Sequence, residues 1–165
     1  MIIAAKNLEE LDFCALMEVY DEGNKENALK FWPEKSPEER TALALESYYE
    51  YLRDGFYGES QGTYYIYEET GVYMAALRLE SFEDGMLLEA LETRPDARQK
   101  GFATKLIKEV QALLPSGTRV YSHVSKSNAA SIAVHRACDF EIVCDWVICD
   151  DGEKDYRQLT FLYIA

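Results

Sequence analysis

Thr93-Arg94-Pro95-Asp96-Ala97-Arg98-Gln99-Lys100-Gly101-Phe102-Ala103-Thr104 joins a run of strand character to the most regular helix pattern in the chain. Upstream, Met86 to Thr93 reads as a strand. Downstream, Gly101 to Leu114 carries Ala103, Leu106, Ile107, Val110, Leu113 and Leu114 on one face, with Lys105 and Lys108 on the other, and Pro115-Ser116-Gly117 stops it. Such a junction can cradle an anion. A glycine lets the backbone approach a ligand, the first helical amides have no internal partner, and the helix dipole adds about half a positive charge. Arg98 and Lys100 add full charges at its mouth. An ordinary strand-to-helix connection would also place a glycine at its tightest point, so the loop alone leaves both readings open. No G-x-G-x-x-G follows the strand and no G-x-x-x-x-G-K-[ST] occurs, which argues against dinucleotide and nucleoside-triphosphate loops of those types.

The charge pattern singles out the same region. The 165 residues carry 17 basic and 30 acidic side chains, net −13. Residues 94–138 hold 8 basic and 2 acidic, whereas residues 1–93 hold 7 and 21, and residues 139–165 hold 2 and 7. A basic island within an acidic chain is either a local anion site or chance clustering. The acidic total argues against nucleic-acid and membrane-surface partners. Met1-Ile2-Ile3-Ala4-Ala5-Lys6 is too short and too soon charged for a signal peptide, and no apolar run has the length of a membrane span, so a cytoplasmic protein is expected. With 48% hydrophobic residues the chain suits one globular domain over 1–165. Cys14, Cys138, Cys144 and Cys149 lack zinc or C-x-x-C spacing and are expected to be small buried hydrophobes; no metal site is expected.

Working outward, Ile2 to Ala5 reads as an edge strand and Asn7 as the N-cap of a helix through Leu8, Leu11, Ala15 and Val19. A polar stretch from Asp21 to Asn27 breaks that pattern. Ser36, Pro37 and Glu39 open a second helix with a capping box, its face marked by Leu45, Tyr48, Tyr49 and Leu52, and Gly55 and Gly58 are expected to end it. Thr63 to Tyr67 and Val72 to Leu79 form a hairpin around Glu69-Thr70-Gly71. After the long helix come a strand (Arg119 to Val124), a helix from Ser127-Asn128 to about Cys138, and two strands, Glu141 to Cys149 and Tyr156 to Ile164, around Asp150-Asp151-Gly152. The order β-α-α-β-β-β-α-β-α-β-β predicts an α/β protein of the α+β type. Its sheet is mixed and mostly antiparallel, flanked by helices, with a parallel pair across the middle crossover.

Arg98-x-x-Gly101-x-Ala103, preceded by Pro95, resembles the [R/Q]-x-x-G-x-[G/A] signature of the GNAT superfamily of acyl-CoA-dependent N-acetyltransferases. Val124-x-x-x-Asn128-x-x-Ser131-x-x-x-His135-x-x-x-Asp139-Phe140 resembles that family's second block, V-x-x-x-N-x-x-A-x-x-x-Y-x-x-x-G-F. The resemblance implies a V-shaped sheet whose middle strands part to admit acetyl-CoA. It assigns the pyrophosphate to Gln99, Lys100, Gly101, Phe102, Ala103 and Thr104 with Arg98, and the pantetheine arm to the backbone of Leu91 and Thr93. Asn128, with Ser131 in the same block, would contact the cofactor near the pantetheine or second phosphate.

The resemblance also implies direct attack of an amine on the thioester. A primary alkylamine is about one part in a thousand neutral at pH 7, a cost of about 4 kcal/mol unless the enzyme takes the proton. Glu89 and Glu92 are the candidate bases. On a regular strand they face opposite sides, and Glu89, sharing its side with Leu91 and Thr93, is favoured. His135 stands where the family usually has a tyrosine: it either protonates the departing thiolate or packs beside the cofactor. His123 would border the same cleft. Asp139 replaces a glycine and must turn without its freedom. Glu50, Tyr51 and Tyr57 would line an aromatic, acidic pocket for a cationic amine of a small molecule or peptide. The alternative is a non-catalytic acyl-CoA-binding regulatory domain. Edge pairing of the closing strands would give a homodimer.

Overall fold

The computed structural model describes residues 1–149 and 151–165; Asp150 of the expected closing turn lies outside them. In chain order its elements are β1 (Ile2–Ala5), a 3-10 turn (Leu8–Glu10), α1 (Phe13–Val19), α2 (Asp21–Phe31), α3 (Pro37–Glu50), a π-type helix (Tyr51–Ser60), β2 (Thr63–Glu69), β3 (Val72–Phe82), β4 (Gly85–Thr93), a 3-10 turn (Pro95–Ala97), α4 (Phe102–Leu113), β5 (Arg119–Ser125), α5 (Ala129–Ala137), β6 (Glu141–Cys144), β7 (Val147–Ile148), β8 (Lys154–Asp155) and β9 (Gln158–Ile164). Among the described residues seven strands form one sheet, ordered β1-β2-β3-β4-β5-β9-β6, and β7 and β8 make a separate two-stranded ribbon. Neighbours in the large sheet run antiparallel except β4 and β5, joined through α4 and parallel. This is the mixed, mostly antiparallel sheet expected from the element order.

Strand alternation supplies the sheet with two apolar faces. On one, Ala75, Leu77, Leu79, Leu88, Val120 and Val124 meet Phe102, Leu106, Ile107 and Val110 of α4. On the other, Tyr64, Ile66 and Ala76 meet Leu16, Val19 and Tyr20 near α1, and Leu52 and Phe56 of the π-type helix.

Several local expectations change. Asn7 caps only the one-turn 3-10 helix; α1 has its own cap, the Asp12 carboxylate accepting from the Ala15 amide. The polar stretch from Asp21 is helix α2, lying on the surface with only Ala28 buried, so it shows no apolar period. Ser36 and Glu39 do form the capping box, but Gly55 and Gly58 do not end the helix: the backbone widens into a π-type turn and stops at Gln61, whose φ is +51°. The strand expected over 141–149 is broken into β6 and β7, and β9 inserts between β5 and β6. Leu113 is exposed rather than inward-facing, and of the four cysteines only Cys138 is buried. Asp139 does adopt the left-handed turn, φ +62°.

β4 departs from regularity in two ways that build the site. Ala75 pairs with Thr93 and Ala76 with Glu92, yet Arg78 pairs with Glu89, so a bulge lies between, where Ala90 has φ +48°. Then, although β4 runs to Thr93 and β5 to Ser125, their ladder holds only Met86–Val120, Leu87–Tyr121 and Leu88–Ser122. Gly85 keeps the closed end tight, since a Cβ there would lie 2.3 Å from the Arg119 carbonyl oxygen. Past Leu88 the strands part.

Candidate active site

The parting strands enclose a cleft of about 170 Å³ lined by Leu88, Glu89, Ala90, Leu91, Ser122, His123, Val124, Ser125, Asn128, Ser131 and His135. It brings together Glu89, Leu91, Asn128, Ser131 and His135, which the sequence had proposed separately. It adds Ser122, which the sequence reading passed over. The signal was present: Ser122 sits between Val120 and Val124 on the inward face of β5, a polar residue where alternation expects an apolar one.

The cleft passes through the sheet. Glu89 pairs with Arg78, whose guanidinium lies 5.0 Å from the Tyr51 ring centre and 5.4 Å from that of Phe56, so Glu89 faces the α1–α3 side. Ser122 pairs with Leu88 and faces α4 and α5. The bulge overturns the parity expected on a regular strand. Glu89 and Glu92 face the same side, and Glu89 shares it with neither Leu91, which packs on the α4–α5 core, nor Thr93. The two carboxylates part company in their contacts: Glu89 meets Arg78 at 3.3 Å, whereas Glu92 meets Arg98 at 3.2 Å, at the cradle. Burial pushes the Glu89 carboxyl above its ordinary value, against the opposing pull of Arg78. Tyr20 fixes the bulge by donating its hydroxyl to the Ala90 carbonyl at 2.5 Å.

His135 is buried, with 1% of its surface exposed. Nδ1 lies 2.8 Å from the Ser131 carbonyl oxygen, which can only accept, so Nδ1 carries the proton. Nε2 then accepts from the Ser122 hydroxyl at 2.9 Å. Burial lowers the affinity of the ring for a second proton, with the Ser131 bond opposing. His123, on the other side of β5, is likewise shifted down by burial. Asn128 uses its side-chain oxygen to cap α5 at the Ser131 amide.

The cradle lies at the open end of β4. Gly101, with φ +80°, precedes α4, and a Cβ there would meet nothing within 4 Å. The amides of the first turn of α4 have no partner within the helix, and the space beside Gly101 is open. Gln99 is also left-handed, φ +62°. Arg98 is tied to Glu22 of α2 at 2.5 Å and to Glu92, and Lys100 donates to the Asp96 carbonyl at 2.9 Å. Past Leu88 the β4 edge has no β5 partner; at Thr93 its amide donates to the Glu92 carboxylate at 3.2 Å and its carbonyl accepts from Arg98 at 3.3 Å, so only side chains cover the edge that leads to the start of α4. Among the described residues no group of three or more potential metal ligands occurs.

The expected acceptor residues do not form one pocket. Tyr51 lies over Arg78, Tyr57 is drawn away to donate to the Ala5 carbonyl at 3.3 Å, and Glu50 is exposed. A cavity of about 610 Å³ between α1, α2, α3 and residues 94–96 is lined by none of the three, and shares no residue with the cleft.

The model of the acetyltransferase (GNAT) family matches residues 21–140. The chain belongs to the GNAT family. No curated protein matches it by sequence. Among solved structures, the PaiA N-acetyltransferase of Thermoplasma acidophilum in complex with coenzyme A is 12% identical, with TM-score 0.62 over 100% of this chain and 99% of that one. The aminoglycoside acetyltransferase AAC(6')-Ib in complex with coenzyme A and kanamycin is 16% identical, with TM-score 0.65 over 99% and 95%. The ribosomal-protein-S18-alanine N-acetyltransferase of Escherichia coli is 19% identical, with TM-score 0.56 over 99% and 94%. At these identities the likeness is one of fold, and it extends over nearly the whole of each chain. No helix among the described residues is long and apolar enough to cross a membrane.

Proposed function

We propose that this GNAT protein is an acetyl-CoA-dependent N-acetyltransferase, a single domain over 1–165, that acetylates a primary amine of a small molecule or peptide by direct attack. The observation that carries this reading is the cleft between β4 and β5, which opens on a carboxylate at one face and leads along an unpaired strand edge to the cradle at Gly101.

In this reading the amides from Gln99 to Thr104, with Arg98 and Lys100, hold the pyrophosphate, and the β4 edge at Leu91 and Thr93 pairs with the pantetheine once the Glu92 and Arg98 side chains that cover Thr93 move aside. Asn128 and Ser131 line the cofactor from the α5 side. The amine enters from the α1–α3 face, where Glu89 takes its proton directly or through water. A raised carboxyl value brings Glu89 closer to the working pH of a base. Backbone amides of the bulged strand near Leu91 stabilise the oxyanion. Neutral His135 is not an acid in its resting state, so the thiolate, itself a competent leaving group, takes its proton from elsewhere. Tyr51 flanks the acceptor beside Arg78, with Glu50 and Tyr57 farther out, and the acidic flanks attract a cationic amine. The homodimer would form through β6, an edge strand with Ile142 and Val143 exposed at 41% and 47%.

Calorimetry with acetyl-CoA, then mass analysis of products from an amine panel, tests the assignment. Saturable binding with acetylated product supports it, and binding without product on any amine supports the regulatory-domain alternative.

A further inference from the structure

We propose that Ser122 and His135 form a second acyl-transfer device on the far side of the cleft, by which the protein hydrolyses acetyl-CoA when no amine is present. The proposal rests on the reading that the cleft holds the acetyl thioester. Ser122 belongs to the last pair of the β4–β5 ladder, at the apex where the strands part. Its hydroxyl donates to Nε2 of a neutral imidazole at 2.9 Å, and the other ring nitrogen is anchored at 2.8 Å to the Ser131 carbonyl. Nucleophile, base and orienting acceptor are thus joined by consecutive hydrogen bonds. The base is in the protonation state that nucleophilic activation requires, and a proton donor to sulfur would need the opposite one.

The packing keeps it so. The ring lies between Phe140 and Phe161, with centroids at 5.1 and 5.2 Å, and its polar contacts are Ser122 and Ser131. The titratable groups lining the cleft, Glu89 and His123, stand on the opposite face of the sheet. On this proposal the amine, beside Glu89, and Ser122 approach the thioester carbonyl from different sides.

The steps balance. Ser122 Oγ bonds to the acetyl carbon while its proton passes to His135 Nε2. The carbon–sulfur bond breaks, and Nε2 returns that proton to the sulfur, giving coenzyme A and O-acetyl-Ser122. Water, giving a proton to Nε2, then attacks the ester, and Nε2 delivers the proton to the departing Ser122 oxygen. The sum is acetyl-CoA and water to coenzyme A and acetic acid, which ionises to acetate and a proton.

The full chain is incubated with acetyl-CoA and no amine, following thiol release, acetate, thermal stabilisation and protein mass. Wild-type protein should release thiol and acetate, and Ser122→Ala should slow this about a hundredfold, far more than it slows amine-dependent release. Ser122→Cys should accumulate an acetyl adduct that peptide mapping places at position 122. Unchanged acceptor-free release in Ser122→Ala, or no adduct on Ser122→Cys although acetyl-CoA stabilises both variants, overturns the proposal. An adduct at position 122 without turnover of any amine upholds it and overturns the amine-acceptor reading instead. No stabilisation of wild type by acetyl-CoA removes the cleft assignment on which both rest.

Discussion

Glu89 and Glu92 lie three residues apart on β4 and point to the same side of the sheet, because the bulge at Ala90 takes up the extra residue between them. One carboxylate therefore reaches the cleft beside Arg78 and the other the cradle beside Arg98. Their contacts separate by position along the strand rather than by face.

Glu89→Gln should lower amine-dependent turnover about 10²- to 10³-fold, the ordinary range for removing a general base, with little change in acetyl-CoA affinity. In the proposed role Glu89 would act only when ionised, and burial raises its carboxyl. Turnover should then rise with pH through a value above the ordinary carboxylate range, and this ascending limb should vanish in the variant. Steady-state pH profiles check both. Glu92→Gln should instead affect acetyl-CoA affinity through Arg98.

Gly101→Val should weaken acetyl-CoA binding about 10- to 100-fold, the worth of one or two lost amide contacts, while the chain stays folded. The side chain would enter space where no protein atom lies within 4 Å, although the residue must also tolerate φ +80°. Titration calorimetry alongside circular dichroism separates the two effects. Native affinity in the variant would contradict the cradle.

Tyr20→Phe deletes the hydrogen bond that holds the Ala90 carbonyl. A loss of about 1 kcal/mol is expected, a fall of roughly 2–4 °C in Tm for a chain of this size. Turnover should fall as well, because the bulge aims Glu89. Thermal melts and kinetics on one preparation test the coupling.

The buried, neutral His135 makes stability depend on pH. Its folded value is depressed below the unfolded value of about 6.5. Its contribution is therefore fully present above about pH 6.5 and is lost as pH falls through the folded value. Tm should decline from about pH 6.5 downward, and His135→Gln should flatten that decline. A residual slope should persist from His123, which is shifted the same way.

The turn before α4 was legible in the sequence, because the left-handed Gly101 that precedes the helix is a matter of local backbone shape, which the motif spacing records. The capping box at Ser36 and the left-handed Asp139 were equally readable, being local. Helix α2 was hidden because it buries almost nothing, and apolar period is what reveals a helix. The bulge at Ala90 was hidden for another reason: nothing in Leu-Leu-Glu-Ala-Leu-Glu-Thr marks it, and it is held by Tyr20, 70 residues away. It decides which sides of the sheet Glu89 and Leu91 face. The partner of Tyr57, the carbonyl of Ala5 on β1, was hidden for a similar reason, being 52 residues away.

The most direct test is the rate of coenzyme A thiol release from acetyl-CoA, with and without each member of an amine panel of polyamines, aminoglycosides and peptides. Release that saturates with at least one amine, yields the acetylated amine and falls about 10²-fold in Glu89→Gln is the predicted result. Tight acetyl-CoA binding with no amine-dependent release across the panel would contradict it.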